Sequence, residues 1–483
     1  MKIIFSVEDL FIIEPLGLMQ LVAIAKNMGH ETRFLEFRDD RFLKFVRQEK
    51  PDMVAFSIMS ISSDSCIDIV KKIKEVDQDT FIFIGGPHPT YFPDFIRSCE
   101  ADAICVGEGD LAFAELLKAL EQKKDISRIR NIHTRRQANP PRDLIEDLDG
   151  LPYPDRDLVY QNSRLGSMKL RSFMATRGCA YSCAYCFNSG YKELYRGKGK
   201  ILRRRSVDNL LREIKTVRSK YPIEMIRFGD DVFIEKMDDW LLEFSDKYPK
   251  TIQLPFYCLL RPDIVTPEIA QRLKKAGCAC VSASIETGNE KIRREVLNRK
   301  ITNKEILNAC QILNDQGIKS NMNIMLGLPH ATLEDEMESM DLAFESRPTS
   351  ISFTIFTPFQ GTELHRYCVQ KKILAESDLT RFPKNMSDYS VLDCFTQKEK
   401  NIQKNIFLLG TLAYRNTFLK KFILKHLIFW PSNRIFFYIS FLTRNYYFYR
   451  FSALKSLSMR EFIKLALLTL RHDKRYIGSP GTS

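Results

Sequence analysis

Residues Thr176 to Phe187 read TRGCAYSCAYCF. Three cysteines, Cys179, Cys183 and Cys186, stand at C-x3-C-x2-C spacing just after an apolar, strand-like segment near Phe173 to Thr176. Three thiolates on one short loop can bind three irons of a four-iron four-sulfur cubane and leave the fourth iron open to an outside ligand; a fourth cysteine would close that position. Zinc usually takes four ligands, often as two C-x2-C pairs, and no partner pair stands nearby.

The chain on either side alternates strand and helix. Downstream, apolar strands are predicted at Met225 to Phe228, Gln253 to Cys258, Cys280 to Ile285, Asn321 to Leu326 and Ser350 to Phe356, with helical patterns between them. With the segment near Phe173 to Thr176 they make six parallel strands, a partial α/β barrel whose chemistry belongs at the strand C-termini. Upstream, strands are predicted at Lys2 to Val7, Glu31 to Phe37, Met53 to Ile58, Thr80 to Ile84 and Ala103 to Val106. Helices are predicted at Leu16 to Met28, Ser65 to Val76 and up to Leu120. That series implies a doubly wound, flavodoxin- or Rossmann-like parallel sheet, with ligands beyond its C-terminal strand ends. Three turns lie at such ends: Ser57 to Ser60, Gly85 to Thr90 (GGPHPT) and Gly107 to Gly109 within GEGD. The expected organisation is a domain over 1–138, a linker over 139–168, a second domain over 169–370 and a helical C-terminal domain over 371–483.

A chain of 483 residues is too long for one ordinary core. Its 44% hydrophobic content suits a globular protein. The N-terminus reads as a strand rather than a signal peptide, so a cytoplasmic protein is expected, with its 12 cysteines reduced or metal-bound. The net charge of +13 is uneven: Asn401 to Arg475 holds 14 Lys and Arg against Glu461 and Asp473, interleaved with aromatics such as IFFYISFL (Ile435 to Leu442) and NYYFYRF (Asn445 to Phe451). No uncharged apolar run there is long enough to span a bilayer, but a basic, aromatic, amphipathic segment can lie on an anionic membrane surface. Gly478 to Ser483 read as a frayed tail.

From Ser172 to Gly361 the sequence resembles the radical S-adenosylmethionine (SAM) superfamily. The resemblance implies a cluster on Cys179, Cys183 and Cys186, chelated at its open iron by SAM. It places Tyr185, before the third cysteine, near the adenine. FGDD (Phe228 to Asp231) ends a strand where the family often has GGE, which makes Gly229, Asp230 and Asp231 candidates for SAM. Ser284 and Glu286 in SIETGNE, and Leu326 in NIMLGLP, match further SAM-contacting positions. TPFQGT (Thr357 to Thr362) closes the sixth strand.

The order of domains, with SIMSIS, GGPHPT and GEGD at successive strand ends, resembles cobalamin-dependent radical SAM enzymes, the group of methylases and of the anaerobic Mg-protoporphyrin ester cyclase. The resemblance implies cobalamin contacts at Ser57, Ser60, Gly85, Gly86, Pro87, His88, Gly107, Glu108 and Gly109, the glycines letting the backbone come close to the corrin or its tail. DxHxxG, the motif whose histidine ligates cobalt, is missing. His30 reads as a surface residue, and His88 as either a packing or a cofactor residue, so base-off cobalamin is expected. The implied reaction is C-methylation of an unactivated carbon, through a 5′-deoxyadenosyl radical and methylcobalamin. The substrate is a small or lipid-like molecule lying between corrin and SAM, and an external flavodoxin- or ferredoxin-type donor supplies electrons. No catalytic base is named. Cyclisation or oxidative rearrangement is the alternative within the group. A tRNA methylthiotransferase is the alternative outside it; that family needs a second cysteine trio, and Cys66, Cys99 and Cys105 do not sit at the needed turns, so nucleic acid is not an expected partner. A non-catalytic cobalamin sensor would not need the cluster motif. Cys278 and Cys280 read as buried thiols rather than metal ligands.

Overall fold

The structure, a computed structural model, describes residues 1–10, 14–374 and 389–451, with positions 463, 466, 467 and 470 beyond them. The tail from Gly478 lies outside the described residues. The chain divides into two compact units: residues 1–180 with 187–223, and residues 181–186 with 224–483. The two units thus part within the cysteine loop and again after residue 223. Residues 139–168, expected as a linker, pack into the first unit: Leu144, Leu148, Val159 and Leu165 are buried, and Asp157–Gln161 is helical.

In the first unit, strands β1 (Lys2–Ser6), β2 (Glu31–Phe34), β3 (Met53–Ser57), β4 (Phe81–Gly85), β5 (Ala103–Cys105) and β6 (Ile132–His133) lie in the order β2-β1-β3-β4-β5-β6. The first five are parallel; β6 pairs antiparallel with β5. The order 2-1-3-4-5 is that of flavodoxin-like sheets. Apolar faces on both sides of the sheet explain the near-continuous runs of β1, β3 and β4. One core holds Ile3, Phe5, Ala55 and Phe83 under helices Leu16–Asn27 and Asp110–Glu121. The other holds Ile4, Val54, Phe56 and Ile82 under helices Phe42–Glu49 and Ser63–Val76. The segment expected as a strand near Phe173 to Thr176 is two pieces, β7 (Leu170–Phe173) and β8 (Thr176–Arg177), and β8 pairs antiparallel with β9 (Arg203–Arg204). His30, expected at the surface, is buried: its Nδ1 lies 3.3 Å from the N-terminal amine and 3.5 Å from Glu121.

In the second unit, β10 (Met225–Phe228), β11 (Phe256–Leu259), β12 (Cys278–Glu286), β13 (Lys319–Leu326) and β14 (Ser350–Ile355) run parallel, each beside its predecessor. No strand order reverses, so all five carboxyl ends open on one rim, as in a partial barrel. Gly288, in SIETGNE after β12, donates its N–H to Ser339 Oγ at 2.8 Å. A Cβ there would stand 2.6 Å from the backbone of Glu338 and Ser339 in helix Leu333–Ser346. Neither backbone can yield cheaply. Gly288→Ala is expected to lower the unfolding free energy of the chain by at least about 2 kcal/mol in urea denaturation; an unchanged midpoint would show that the helix gives way.

Candidate active site

In the first unit the three expected turns are tied to one another. A short helix, Pro87–Tyr91, starts within GGPHPT, with Gly86 at its N-cap and Pro87 at its first position, where the missing N–H costs nothing. Gly86 has φ +100°, and a Cβ on it would come within 2.7 Å of the Ile58 carbonyl. Thr90 Oγ1 donates to the Gly86 carbonyl at 2.9 Å and accepts from the Gly107 N–H at 3.1 Å. The Tyr195 hydroxyl fills the place a side chain at residue 107 would take and accepts from the Glu108 N–H at 2.7 Å. These close approaches are to the protein's own atoms. Gly85 and Gly109 face Cys105 in ordinary contact.

Glu108 is committed internally. Arg203 donates to both its carboxylate oxygens at 2.7 and 3.0 Å, and the Tyr191 hydroxyl donates at 2.9 Å. Arg177 forks onto neighbouring Asp110 at 2.7 and 3.0 Å. His88 is packed: its ring lies on Phe92 and edge-on to Phe95, and its Nδ1 is 3.1 Å from Ser60 Oγ. Between Ser57 and Ser60, Met59 is 61% exposed. Turns side by side at the ends of β3, β4 and β5, two of them carrying glycine pairs, with an exposed apolar side chain among them, suit a flat, partly apolar ligand.

In the second unit, the cysteine loop supplies Cys183, which is buried, and Cys186, half-buried; Cys179, in the first unit, is buried too. Among the described residues no three His, Cys, Asp or Glu side chains gather at a point that one metal ion could occupy. A cubane does not ask for that, because each thiolate meets a different iron. Arg261 Nη1 lies 3.9 Å from Cys183 Sγ, and Arg299 also interacts with this sulfur. Two buried guanidinium groups facing one sulfur suit a thiolate on an anionic cluster better than a neutral thiol. Cys280 by contrast is an inert thiol, pushed up to about 12 by burial.

Beside the loop, β12 ends in a register shift between Ser284 and Glu286, and Glu286 is left-handed at φ +62°. A non-glycine residue in that conformation costs of order 1–3 kcal/mol and commonly marks a site. The kink brings the Glu286 carboxylate to the Tyr185 hydroxyl, which donates at 2.6 Å. Burial and the adjacent Glu286 push the Tyr185 phenol well up, so it stays a donor. Arg299 donates to Tyr185 Oη at 3.3 Å and to the Ser284 carbonyl at 3.2 Å. Glu286 Oε2, Arg299 Nε and Thr357 Oγ1 are buried with no protein partner. An acceptor, a cationic donor and a hydroxyl left over at the rim fit an amino acid's ammonium and carboxylate together with a ribose hydroxyl. Asp230 is fully buried at the end of β10 and Asp231 is exposed, so Asp230 is the better placed of the two. Leu326 is fully buried at the end of β13; Gly327 next to it donates to Glu336 Oε1 at 2.7 Å, and burial pushes that carboxyl up to about 8. Arg261, Arg299, Thr357 and Glu336 were not singled out from sequence as ligand or support residues.

Residues 5–117 match the B12 binding domain model, and residues 174–343 the Radical SAM superfamily model. The chain is 25% identical over 427 residues to an uncharacterized methyltransferase of Pyrococcus horikoshii, covering 85% of this chain and 89% of that one. It is 22% identical over 430 residues to the cytidylyl-2-hydroxyethylphosphonate methyltransferase of Streptomyces wedmorensis, covering 74% and 78%. Among solved structures, the cobalamin-dependent SAM radical enzyme OxsB, with aqua-cobalamin and SAM bound, superposes with a TM-score of 0.68 over 99% of this chain and 76% of that one, at 16% identity.

The neutral, buried His88 has a stability consequence. Burial lowers its pKa from 6.5 to about 4. The unfolded chain then binds a proton more readily, so the contribution is complete above about pH 6.5 and drains as pH falls towards 4, by up to about 3 kcal/mol. Denaturation at neutral pH and at about pH 4.5 should show a steeper acid loss for the wild type than for His88→Gln; parallel losses would contradict it.

Proposed function

We propose that this chain, which joins a B12-binding domain to a radical SAM domain, is a cobalamin-dependent methyltransferase acting on an unactivated carbon. The observation that carries the SAM half is the pair of unpartnered buried atoms Glu286 Oε2 and Arg299 Nε, on two residues that both meet Tyr185, with Thr357 Oγ1 a third such atom after β14. When bound, the cluster supplies one electron to SAM and the corrin carries the methyl group. The chain's residues bind and orient. Cys179, Cys183 and Cys186 hold the cluster. Glu286 takes the SAM ammonium, Arg299 its carboxylate, and Tyr185 fixes Glu286 while lying near the adenine. Gly327, held by Glu336, shapes the same rim at the end of β13. Relatives named as methyltransferases support the methylase reading, and relatives named as anaerobic magnesium-protoporphyrin IX monomethyl ester cyclases support cyclisation as the alternative.

For cobalamin, the turns at Ser57, Ser60, Gly85 to His88 and Gly107 to Gly109 are the proposed contacts, with no histidine on cobalt. In support, each of the three histidines of the first unit has one ring nitrogen on a protein group: His30 the N-terminus, His88 Ser60, and His133 the Asn139 carbonyl at 2.9 Å.

The substrate is proposed to be hydrophobic, and the C-terminal helices to rest on a membrane surface. Among the described residues no helix is long and apolar enough to cross a membrane. Yet Phe418, Ile435 and Leu442 are 89%, 69% and 66% exposed, alongside Lys420, Lys421, Lys425 and Arg434. Apolar side chains among bases suit an anionic interface.

With reductant and SAM, the protein reconstituted with cluster and cobalamin should yield both 5′-deoxyadenosine and S-adenosylhomocysteine, and Co(II) without nitrogen superhyperfine splitting. Deoxyadenosine alone would favour a cyclase or rearrangement, and nitrogen splitting would sink the base-off assignment. Flotation with anionic liposomes should carry the protein upward, and neutral liposomes should not; failure with both would remove the membrane reading.

A further inference from the structure

The triplet Arg261-Pro262-Asp263 follows β11 and faces the cysteine loop within the second unit. Its three residues form a small positioning device. Pro262 excludes the helical region for the residue before it, and Arg261 is extended at φ −92°, ψ 145°. Asp263 then grips the guanidinium by two parallel bonds, from Nε at 3.0 Å and Nη2 at 2.8 Å. The ring of Tyr181 lies under the same guanidinium, 3.6 Å from its carbon. Arg261 is only 7% exposed. With one edge held by the carboxylate and one face by the ring, the remaining nitrogen, Nη1, is left with Cys183 Sγ at 3.9 Å.

We infer that Arg261 is a positioning residue that sets the reduction potential of the cluster by donating to the Cys183 sulfur. The inference rests on the reading of Cys183 as a cluster ligand. The physical argument is short. Reducing the cluster adds one negative charge to it. A fixed cation and an N–H donor at a ligand sulfur stabilise the reduced form more than the oxidised one, and hydrogen bonds to sulfur are among the levers that set such potentials. Arginine suits the task because it keeps its charge at every working pH. The fork to Asp263 and the stack on Tyr181 remove the flexibility that would otherwise let the group swing to solvent. Asp263 also screens part of the positive charge, so the directed N–H, more than the net charge, distinguishes this arrangement. Arg299 meets the same sulfur but is shared with Tyr185 and the Ser284 carbonyl. That division gives Arg299 to the ligand-facing rim and Arg261 to the cluster.

The test is an EPR-monitored redox titration of the cluster in the full chain, without SAM, for the wild type, Arg261→Leu and Arg261→Gln, each with iron and sulfide quantified. Arg261→Leu should lower the midpoint so that the reduced-to-oxidised ratio at a fixed potential falls about tenfold, 59 mV for one electron. Arg261→Gln, which keeps a donor but no charge, should fall between. Equal midpoints at full iron content would overturn the inference. So would unchanged midpoints with weaker SAM binding, which would make Arg261 a ligand for the SAM carboxylate. Loss of iron from both variants would overturn it as well, assigning Arg261 to holding the loop. A wild type that takes up no cluster would instead sink the cluster reading itself.

Discussion

The Glu108 carboxylate is the constraint on which the first unit's ligand-facing end depends. It accepts two bonds from Arg203 and one from Tyr191, while its own N–H is held by Tyr195. Arg203 is almost wholly buried, so neither charge could be removed without stranding the other, a loss of several kcal/mol in comparable buried pairs. The donors come from residues 191–203, after the cysteine loop, and the acceptor from the turn after β5. Thr90 extends the linkage to the turn after β4. Three turns that could each have moved alone therefore behave as one platform. The stack of Tyr91 on Phe187, 4.4 Å between centroids, joins the helix starting at Phe187 to the same platform.

The second unit solves a different problem. Its rim gathers groups that a low-dielectric interior resists: Asp230, Arg261, Glu286, Arg299 and Glu336 are all buried. Parallel strands placed in sequence order bring their carboxyl ends together whatever the side chains are. The energetic burden then falls on pairing. Arg261 is balanced by Asp263 and Arg299 by Glu286, 3.9 Å away. Glu336 is handled another way: its raised pKa leaves it largely protonated at neutral pH, so a backbone N–H suffices as its partner. What is left unpaired on Glu286 and Arg299, both beside Tyr185, is an acceptor and a donor that a zwitterionic ligand can complete.

Much of this was legible in the sequence because it is periodic or spaced. The parallel strands of both units appear as apolar runs, and their observed ends differ from the expected ones by a few residues at most. The cysteine spacing and the turns GGPHPT and GEGD marked the strand ends. What escaped detection depends on long-range partners. β6 is two residues long and exists only because β5 offers an open edge. His30 looks polar and exposed in GHE, but the N-terminus and Glu121 close over it. Glu108 stood out as a cofactor residue, yet its carboxylate was already spent on Arg203, a residue 95 positions away. The arginines of the rim left one usable signal: an arginine followed by proline and aspartate just after a strand is a fork with a fixed backbone.

The C-terminal helices show how composition can mislead about boundaries. The tail was expected to form a separate helical, basic domain from residue 371, because strand signals fade there. Helix Gln397–Arg415, however, belongs to the core of the second unit: Ile402, Ile406, Leu408, Leu409 and Ala413 are buried in one cluster with Met322, Ile324, Ile351 and Phe353 of β13 and β14. A Cβ on Gly410 would stand 2.6 Å from the Phe353 ring, so helix and sheet meet at the closest approach a side chain allows. β14 is the last strand of its sheet, and an uncovered apolar edge strand invites association with other chains. The helix covers its inward-alternating residues. The most exposed apolar side chains of the tail come after residue 416, at Phe418, Ile435 and Leu442. Packing therefore sets helix Gln397–Arg415 against β13 and β14; beyond it Ile423, Leu424, Ile428 and Phe436 join the same core, while Phe418, Ile435 and Leu442 stay exposed and free to answer to something outside the chain.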